Sequence, residues 1–401
     1  MKARTMAESG VQDVIDWLID GARSADRSDI VLGQLCERLV KAGIPLWRVG
    51  IFVRTLHPDV FGRSFVWRPG AEVVTGVASH GITDSNEYKT SPLARLYATG
   101  ETVRHRVDAN EGVDESPFLQ DLRKEGTTDY IAIPLVFTDG SLHASSWSTK
   151  QSGGFTPVQL AALQAVVAPL ARVAEIRALQ RTASNLLDTY VGNSAGERIL
   201  AGQIRRGYAD NIHAVIWLSD LRGFTSLSDR LPPETMVDVL NGYFDCQVPA
   251  ILDQGGEVLK FMGDGLLAIF PVGKDAAGVA DVSTKALTAA RDARARVTAL
   301  NDKNDANGAD RLRFGLALHV GQVLYGNIGG GHRLDFTCIG PAVNLAARIE
   351  KVAGKLGRTV VASAEFASHH PGEWDHAGDF PVAGLSSNQT VFGLKDEQPA
   401  A

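Results

Sequence analysis

A chain of 401 residues with 44% hydrophobic and 21% charged side chains is long enough for two cores and too apolar for a disordered or collagenous polymer. Its net charge of -6 argues against sequence-blind nucleic-acid binding, so any polyphosphate must be met by local cations and backbone amides. Three widely spaced cysteines, Cys36, Cys246 and Cys338, suggest neither a disulfide framework nor a zinc site and read as reduced thiols of a cytoplasmic protein.

The opening "MKARTMAESG" has no apolar run of the kind a secretory signal carries. From about 11 to 43 the apolar spacing is helical, with Ile30, Val31, Leu35, Leu39 and Val40 following a cap at Ser24 or Asp26. Strand patterns follow at 47–56, 64–69, 72–79 and 129–137. The uncharged stretch 151–171 is too polar for a membrane span and predicts a loop leading into a buried helix from 156 to about 178. No membrane association is expected. This first region, 1–178, predicts an α+β domain.

Residues 179–209 are charged, helix-favouring and broken at Gly192 and Gly202. They predict a helical linker that could set two chains side by side and pass strain onward, or a solvated connector with no such role. From about 210 the order changes to strand (213–220), helix (232–252), hairpin (257–270), Ala-rich helix (within 275–300), strand (311–320), helix (341–353) and strand (358–363). In the strand at 311–320, Leu312, Phe314, Leu316 and Leu318 alternate with Arg311, Arg313 and His319, which predicts one buried face. Strands and helices in this order predict a ferredoxin-like α/β sandwich over 210–395.

Three clusters in this second half carry chemistry. Asp220 ends an apolar strand and runs into "LRGFTSLSD", where a glycine turn opens a helix and leaves the amides of Gly223, Phe224 and Thr225 free for a phosphate. Asp264 sits between two glycines at the tip of the hairpin "EVLKFMGDGLLAIF", placed to approach the strand that ends at Asp220. Two carboxylates brought together repel unless a cation joins them, and magnesium is satisfied by a few carboxylates plus substrate phosphates. In the helix opened by Pro341, Asn344 and Arg348 are spaced i, i+4 on one face, where a helix packed on a sheet normally places apolar residues. That pair suits a ribose and a phosphate. Arg333 and Thr337 lie just upstream in "HRLDFTCIG".

Four segments, "IWLSDLRGFTSLS", "EVLKFMGDGLLAIF", "LHVGQVLYGNIG" and "DFTCIGPAVNLAARIE", occur in the order and approximate spacing of the class III nucleotidyl cyclases, which this half resembles. The resemblance implies adenylate or guanylate cyclase activity in a homodimer with two shared active sites, each using two Mg2+ or Mn2+ ions. It implies that Asp220, Asp264 and the backbone carbonyl of Leu221 hold metal and that Lys260 and Thr337 select the base. Asn344 then orients the ribose, and Arg348 stabilises the transition state. Each site is expected to take its aspartates from one chain and its lysine from the other.

Hydrogen bonding favours ATP. Adenine offers an N1 acceptor to the Lys260 donor, whereas guanine opposes it with a donor, a mismatch of roughly 1 to 3 kcal/mol. Guanylate cyclase is the nearest alternative, and a catalytically silent nucleotide-binding module is the other. The chain departs from the family in two ways. The stretch 380–394 lacks the lysine that reaches the terminal phosphates, leaving Arg333 or His332 for that duty, and no protein general base is evident.

The first half resembles the GAF family of sensory domains in "DYIAIPLVFTDGSLHASSWSTKQSGGFTPVQLAALQAVVAPLA", where two strands lead to a final helix; a PAS-like domain is the alternative. The resemblance implies regulation by an unknown small-molecule ligand.

Overall fold

The computed structural model describes residues 6–55, 60–109, 116–273, 278–381 and 388–397. Residues 1–5 of the opening, 382–387 of the stretch without a phosphate-binding lysine, and 398–401 of the tail lie outside the described residues. The chain divides into two compact units, Met1–Leu186 and Leu187–Ala401.

The first unit opens with two helices, α1 (Met6–Ile19) and α2 (Ser28–Lys41). The expected cap at Ser24 or Asp26 is not used: the N-cap is Arg27, and Ser24 instead bridges Trp17 and Gln34 by side-chain hydrogen bonds of 3.1 and 2.7 Å. Left-handed φ at Gly21 and Ala22 separates α1 from α2. Val31, Leu35 and Leu39 are buried, whereas Ile30 and Val40 are exposed.

Strands β1 (Arg48–Arg54), β2 (Gly62–Trp67) and β3 (Val74–Ala78) form a meander. Short helices α3 (Asn86–Lys89) and α4 (Pro92–Thr99), strand β4 (Val103–His105) and helix α5 (Pro117–Lys124) follow, then the hairpin β5 (Asp129–Val136) and β6 (Leu142–Thr149). The six strands pair antiparallel in the order β3-β2-β1-β6-β5-β4. Alternation of side chains gives the sheet two apolar faces. One packs on α1, α2 and the start of α6 (Pro157–Val191), the other on α4 and α5.

Helix α6 runs well past the expected end near 178, because residues 179–191 contain no glycine or proline; the first stop is Gly192, at φ +84. By length and composition this helix could cross a membrane. In the structure its residues Leu163, Val166, Val167, Leu170 and Val173 fill the core of the first unit, while a third of its apolar window is buried.

The second unit begins with α7 (Asn193–Leu200) and continues through β7 (Ala209–Leu221), α8 (Phe224–Arg230), α9 (Pro233–Asp253), β8 (Glu257–Met262), β9 (Gly265–Pro271), α10 (Val279–Ala306) and β10 (Phe314–Gly330). After it come β11 (Arg333–Ile339), α11 (Pro341–Leu356), β12 (Val360–Ser363), α12 (Ala364–Ala367), β13 (Trp374–Phe380) and β14 (Gln389–Leu394). The sheet order is β13-β14-β12-β10-β7-β9-β8, with β11 paired to β10. Within it β7-α9-β8-β9-α10-β10 is a β-α-β-β-α-β run with its strands in the order fourth, first, third, second, all antiparallel, which is the split βαβ arrangement.

Here the expectation of one buried face for the strand after 311 fails. Every residue from Phe314 to Val320 is buried, because α9 and α10 cover one side of the sheet and α11 covers the other. His319, read as outward, is enclosed and hydrogen-bonds Ser363 at 2.8 Å.

Candidate active site

Strand β7 delivers Asp220 at its last turn of pleat, paired across the sheet with Gly265 at the start of β9. A Cβ on Gly265 would lie 3.2 Å from Asp220 Oδ1 and from the Ser219 carbonyl, so any side chain there would crowd the approach of the hairpin tip to this strand end. Gly263, at φ +68, turns the other side of the tip. Asp264 is thereby brought close enough to Asp220 for its charge to act on the Asp220 carboxyl. Burial, then the charges of Asp264 and Glu350, push Asp220 up to about 6.

On the same side, Arg222 lies 2.7 Å from Glu350 of α11 and donates to the Glu350 carbonyl at 3.1 Å. Gly315 and Gly354 make room for the guanidinium, since a Cβ on either would meet it. Burial raises the Glu350 carboxyl, and Arg222 opposes that rise. Across the sheet, Ser219 donates to Gln247 of α9 at 2.6 Å, with Trp217 donating to the same oxygen at 3.3 Å, which ties β7 to α9 behind the aspartates.

Lys260 lies on β8 beside a bulge. Val258 pairs with Ala268 and Lys260 with Leu267, leaving Leu259 as the extra residue. Leu259 and Leu267 are buried in the cluster that also holds Ala342 and Ala346 of α11, so Lys260, opposite Leu267, shares that side of the sheet; it forms no ion pair with Asp264 among the described residues. It sits near Cys338, whose thiol burial pushes up to about 11 while Lys260 pulls it down. Next to Cys338 is Thr337, buried, with an Oγ1 that has no hydrogen-bond partner. Arg333, four residues away and roughly 13 Å along β11, is exposed and lines a groove of about 690 Å³ together with Lys260, Phe261 and Leu334. Phe261, Met262, Leu324, Leu334 and Ile339 expose apolar side chains on these strands.

The expectation that Asn344 and Arg348 occupy the sheet-packing face of α11 is corrected. The buried stripe of that helix is Ala342, Ala346, Ile349, Glu350, Val352 and Ala353. At 100° per residue, Asn344 and Arg348 lie about 200° and 240° round from Ala342, on the side turned away from the sheet. Among the described residues neither forms an ion pair with Asp220 or Asp264. One protomer therefore holds two separate sets of groups.

Among the described residues no cluster of three or more His, Cys, Asp or Glu is placed to hold a metal ion. The pair Asp220 and Asp264, with the Leu221 carbonyl beside them, still fits a hard divalent ion, because two crowded carboxyls with one raised pKa lack only a cation. Gly223, left-handed at φ 75, caps the seven-residue α8, and the amides of Phe224 and Thr225 have no helical acceptor.

Residues 208–395 match the family model of the adenylate and guanylate cyclase catalytic domain. This stretch carries a cyclase-type catalytic domain. The adenylate cyclase of Anabaena cylindrica is 33% identical over 160 residues, covering 39% of this chain and 31% of that protein. Adenylate cyclase 1 of Rhizobium meliloti (strain 1021) is 31% identical over 147 residues, covering 36% of this chain and 21% of its own. The chain thus spans about a third or less of the length of these relatives. Among solved structures, the adenylyl cyclase CyaB of P. aeruginosa is similar at 27% identity and a TM-score of 0.43, over 47% of this chain and 97% of that one.

Sequence reasoning missed Arg222, Glu350 and Gln247 in the cyclase domain. Glu350 was detectable: it falls four residues after Ala346 on the apolar stripe of α11, and a carboxylate there demands a partner. Gln247 is likewise a polar side chain within the buried residues of α9.

Proposed function

We propose that the chain is an adenylate cyclase that converts ATP to 3',5'-cyclic AMP and pyrophosphate as a homodimer with two shared sites. The observation that carries this reading is the division of one protomer into two sets. Asp220 and Asp264 meet on the sheet, while Asn344 and Arg348 project from the far side of α11, so a second copy is needed to complete a site. The exposed Phe261, Met262, Leu324 and Ile339 supply apolar surface for such a contact.

In this reading Asp220, Asp264 and the Leu221 carbonyl hold two Mg2+ or Mn2+ ions. When bound, these supply positive charge that acidifies the ribose 3'-hydroxyl and neutralises the triphosphate. The reaction is an in-line attack of that hydroxyl on the α-phosphorus, with the bond to pyrophosphate breaking. Asn344 of the opposite protomer orients the ribose. Arg348 meets charge developing on the phosphoryl oxygens, a contribution of about 3 to 4 kcal/mol by analogy with oxyanion donors. Lys260 donates to adenine N1, and the unpartnered Thr337 hydroxyl accepts from N6. The amides of Gly223, Phe224 and Thr225 and the guanidinium of Arg333 bind phosphate. With no side chain assigned as base, the proton passes to solvent or to a substrate oxygen.

We read the first unit as a GAF-like regulatory domain (1–178), with 179–209 as transducer, and the protein as cytoplasmic. The antiparallel sheet covered by helices on both faces supports the first, and three free, buried cysteines support the last. The test is turnover of ATP and of GTP, each with Mg2+ or Mn2+. Cyclic AMP with little cyclic GMP is expected; cyclic GMP as the main product overturns the base assignment, and no cyclic product from either overturns the enzyme.

A further inference from the structure

The first unit contains a cavity between its sheet and its helices, lined by Val31 and Leu32 of α2, Ile51 and Val53 of β1, Phe65 of β2 and Leu170 of α6. It is narrow, about 50 Å³, room for a few waters or a slender alkyl chain. Its wall is apolar, yet three of its residues are arginines: Arg63 from β2, and Arg177 and Arg181 from α6. No acidic residue lines it.

The arginines are unevenly satisfied. Arg177 donates to the Ala25 carbonyl at 2.7 Å and is accounted for structurally. Arg63 is different: its Nε is buried and has no hydrogen-bond partner. Its guanidinium is made less basic first by burial and then by the charge of Arg181. Among the described residues neither Arg63 nor Arg181 has an ion-pair partner. Two cations lining one apolar cavity, one with an orphaned buried donor, lack an anion.

We propose that this cavity binds a straight-chain carboxylate, its head between Arg63 and Arg181 and its alkyl chain among Val31, Ile51, Val53 and Leu170. A guanidinium fork matches a carboxylate's two oxygens, and the narrow apolar interior excludes branched or polar tails. Because Arg181 belongs to α6, which continues to Val191, the ligand fastens that helix to the β2 strand of the sheet. The site deepens the regulatory reading of this unit.

The test is calorimetric titration of the full chain with butanoate, hexanoate and octanoate, with octanol and octylammonium as controls. Octanoate should bind and raise the melting temperature, and affinity should rise roughly threefold to fourfold per methylene until the cavity is filled. Arg63→Ala should weaken binding at least tenfold; Arg181→Gln, exposed and safe for folding, should weaken it in the same direction. Octanol binding as well as octanoate, or both variants binding unchanged, overturns the site. Binding that leaves ATP cyclisation unaltered overturns only the regulatory reading.

Discussion

Arg222 Nη2 lies 2.7 Å from the buried carboxylate of Glu350, joining the end of the strand that carries Asp220 to the helix that carries Asn344 and Arg348. The pair fixes the separation of the two elements that hold the proposed reacting groups. Removing one partner leaves a charge enclosed beside Gly315 and Gly354, so Glu350→Ala should lower unfolding free energy by about 3 kcal/mol. Gly315→Ala should also destabilise, by about 1 to 3 kcal/mol, because its Cβ meets the guanidinium. Urea midpoints at constant slope check both.

Asp220 gives a pH dependence. Its pKa is raised in the folded state, to about 6, so its contribution favours folding fully below the ordinary carboxylate pKa and is lost as pH rises through about 6. Metal-free protein should therefore lose stability between pH 4 and 7 at this site. Asp264→Asn should bring Asp220 back towards the ordinary range and raise stability at pH 7 in chelator. Carbon-13 titration of the Asp220 carboxyl decides it; an Asp220 pKa that stays where it is in the wild type contradicts the coupling.

His143 acts with the opposite sign. Burial first, then the neighbouring Arg54 charge, lowers it to about 4, and its Nδ1 accepts the Arg54 backbone N–H at 3.0 Å. Stability from the neutral ring is fully present above pH 6.5 and lost as pH falls through about 4. His143→Gln keeps an acceptor without titrating, so denaturation curves from pH 7 to 4 should fall less steeply than in the wild type.

Base choice rests on Lys260. Lys260→Glu replaces a donor with an acceptor and should move the ratio of GTP to ATP turnover upward by about 5- to 150-fold, as expected for a mismatch of about 1 to 3 kcal/mol. An unchanged ratio removes Lys260 from base recognition.

Much of the second unit was legible because periodicity and glycine punctuation are local. The strand ending at Asp220, the "MGDG" tip and the helix opened by Pro341 all fall where the sequence predicts. What escaped depends on tertiary context. The bulge at Leu259 arises from the pairing of β8 with β9 and leaves no composition signal. The double burial of β10 requires knowing that α11 returns to the far face of the sheet. The side of α11 that bears Asn344 and Arg348 was misread because the burial of Glu350, held by Arg222, was not anticipated. In the first unit, the break between α1 and α2 sits at left-handed Gly21 and Ala22, and a positive φ at alanine has no sequence signature.

The most direct test mixes two inactive chains, Asp264→Ala and Lys260→Ala, under conditions where dimers exchange. If each site draws its aspartates from one protomer and its lysine from the other, every mixed dimer regains one intact site. Random pairing should then restore about a quarter of wild-type cyclic AMP production. Two variants that dimerise, are each inactive and stay inactive when mixed would contradict the shared site.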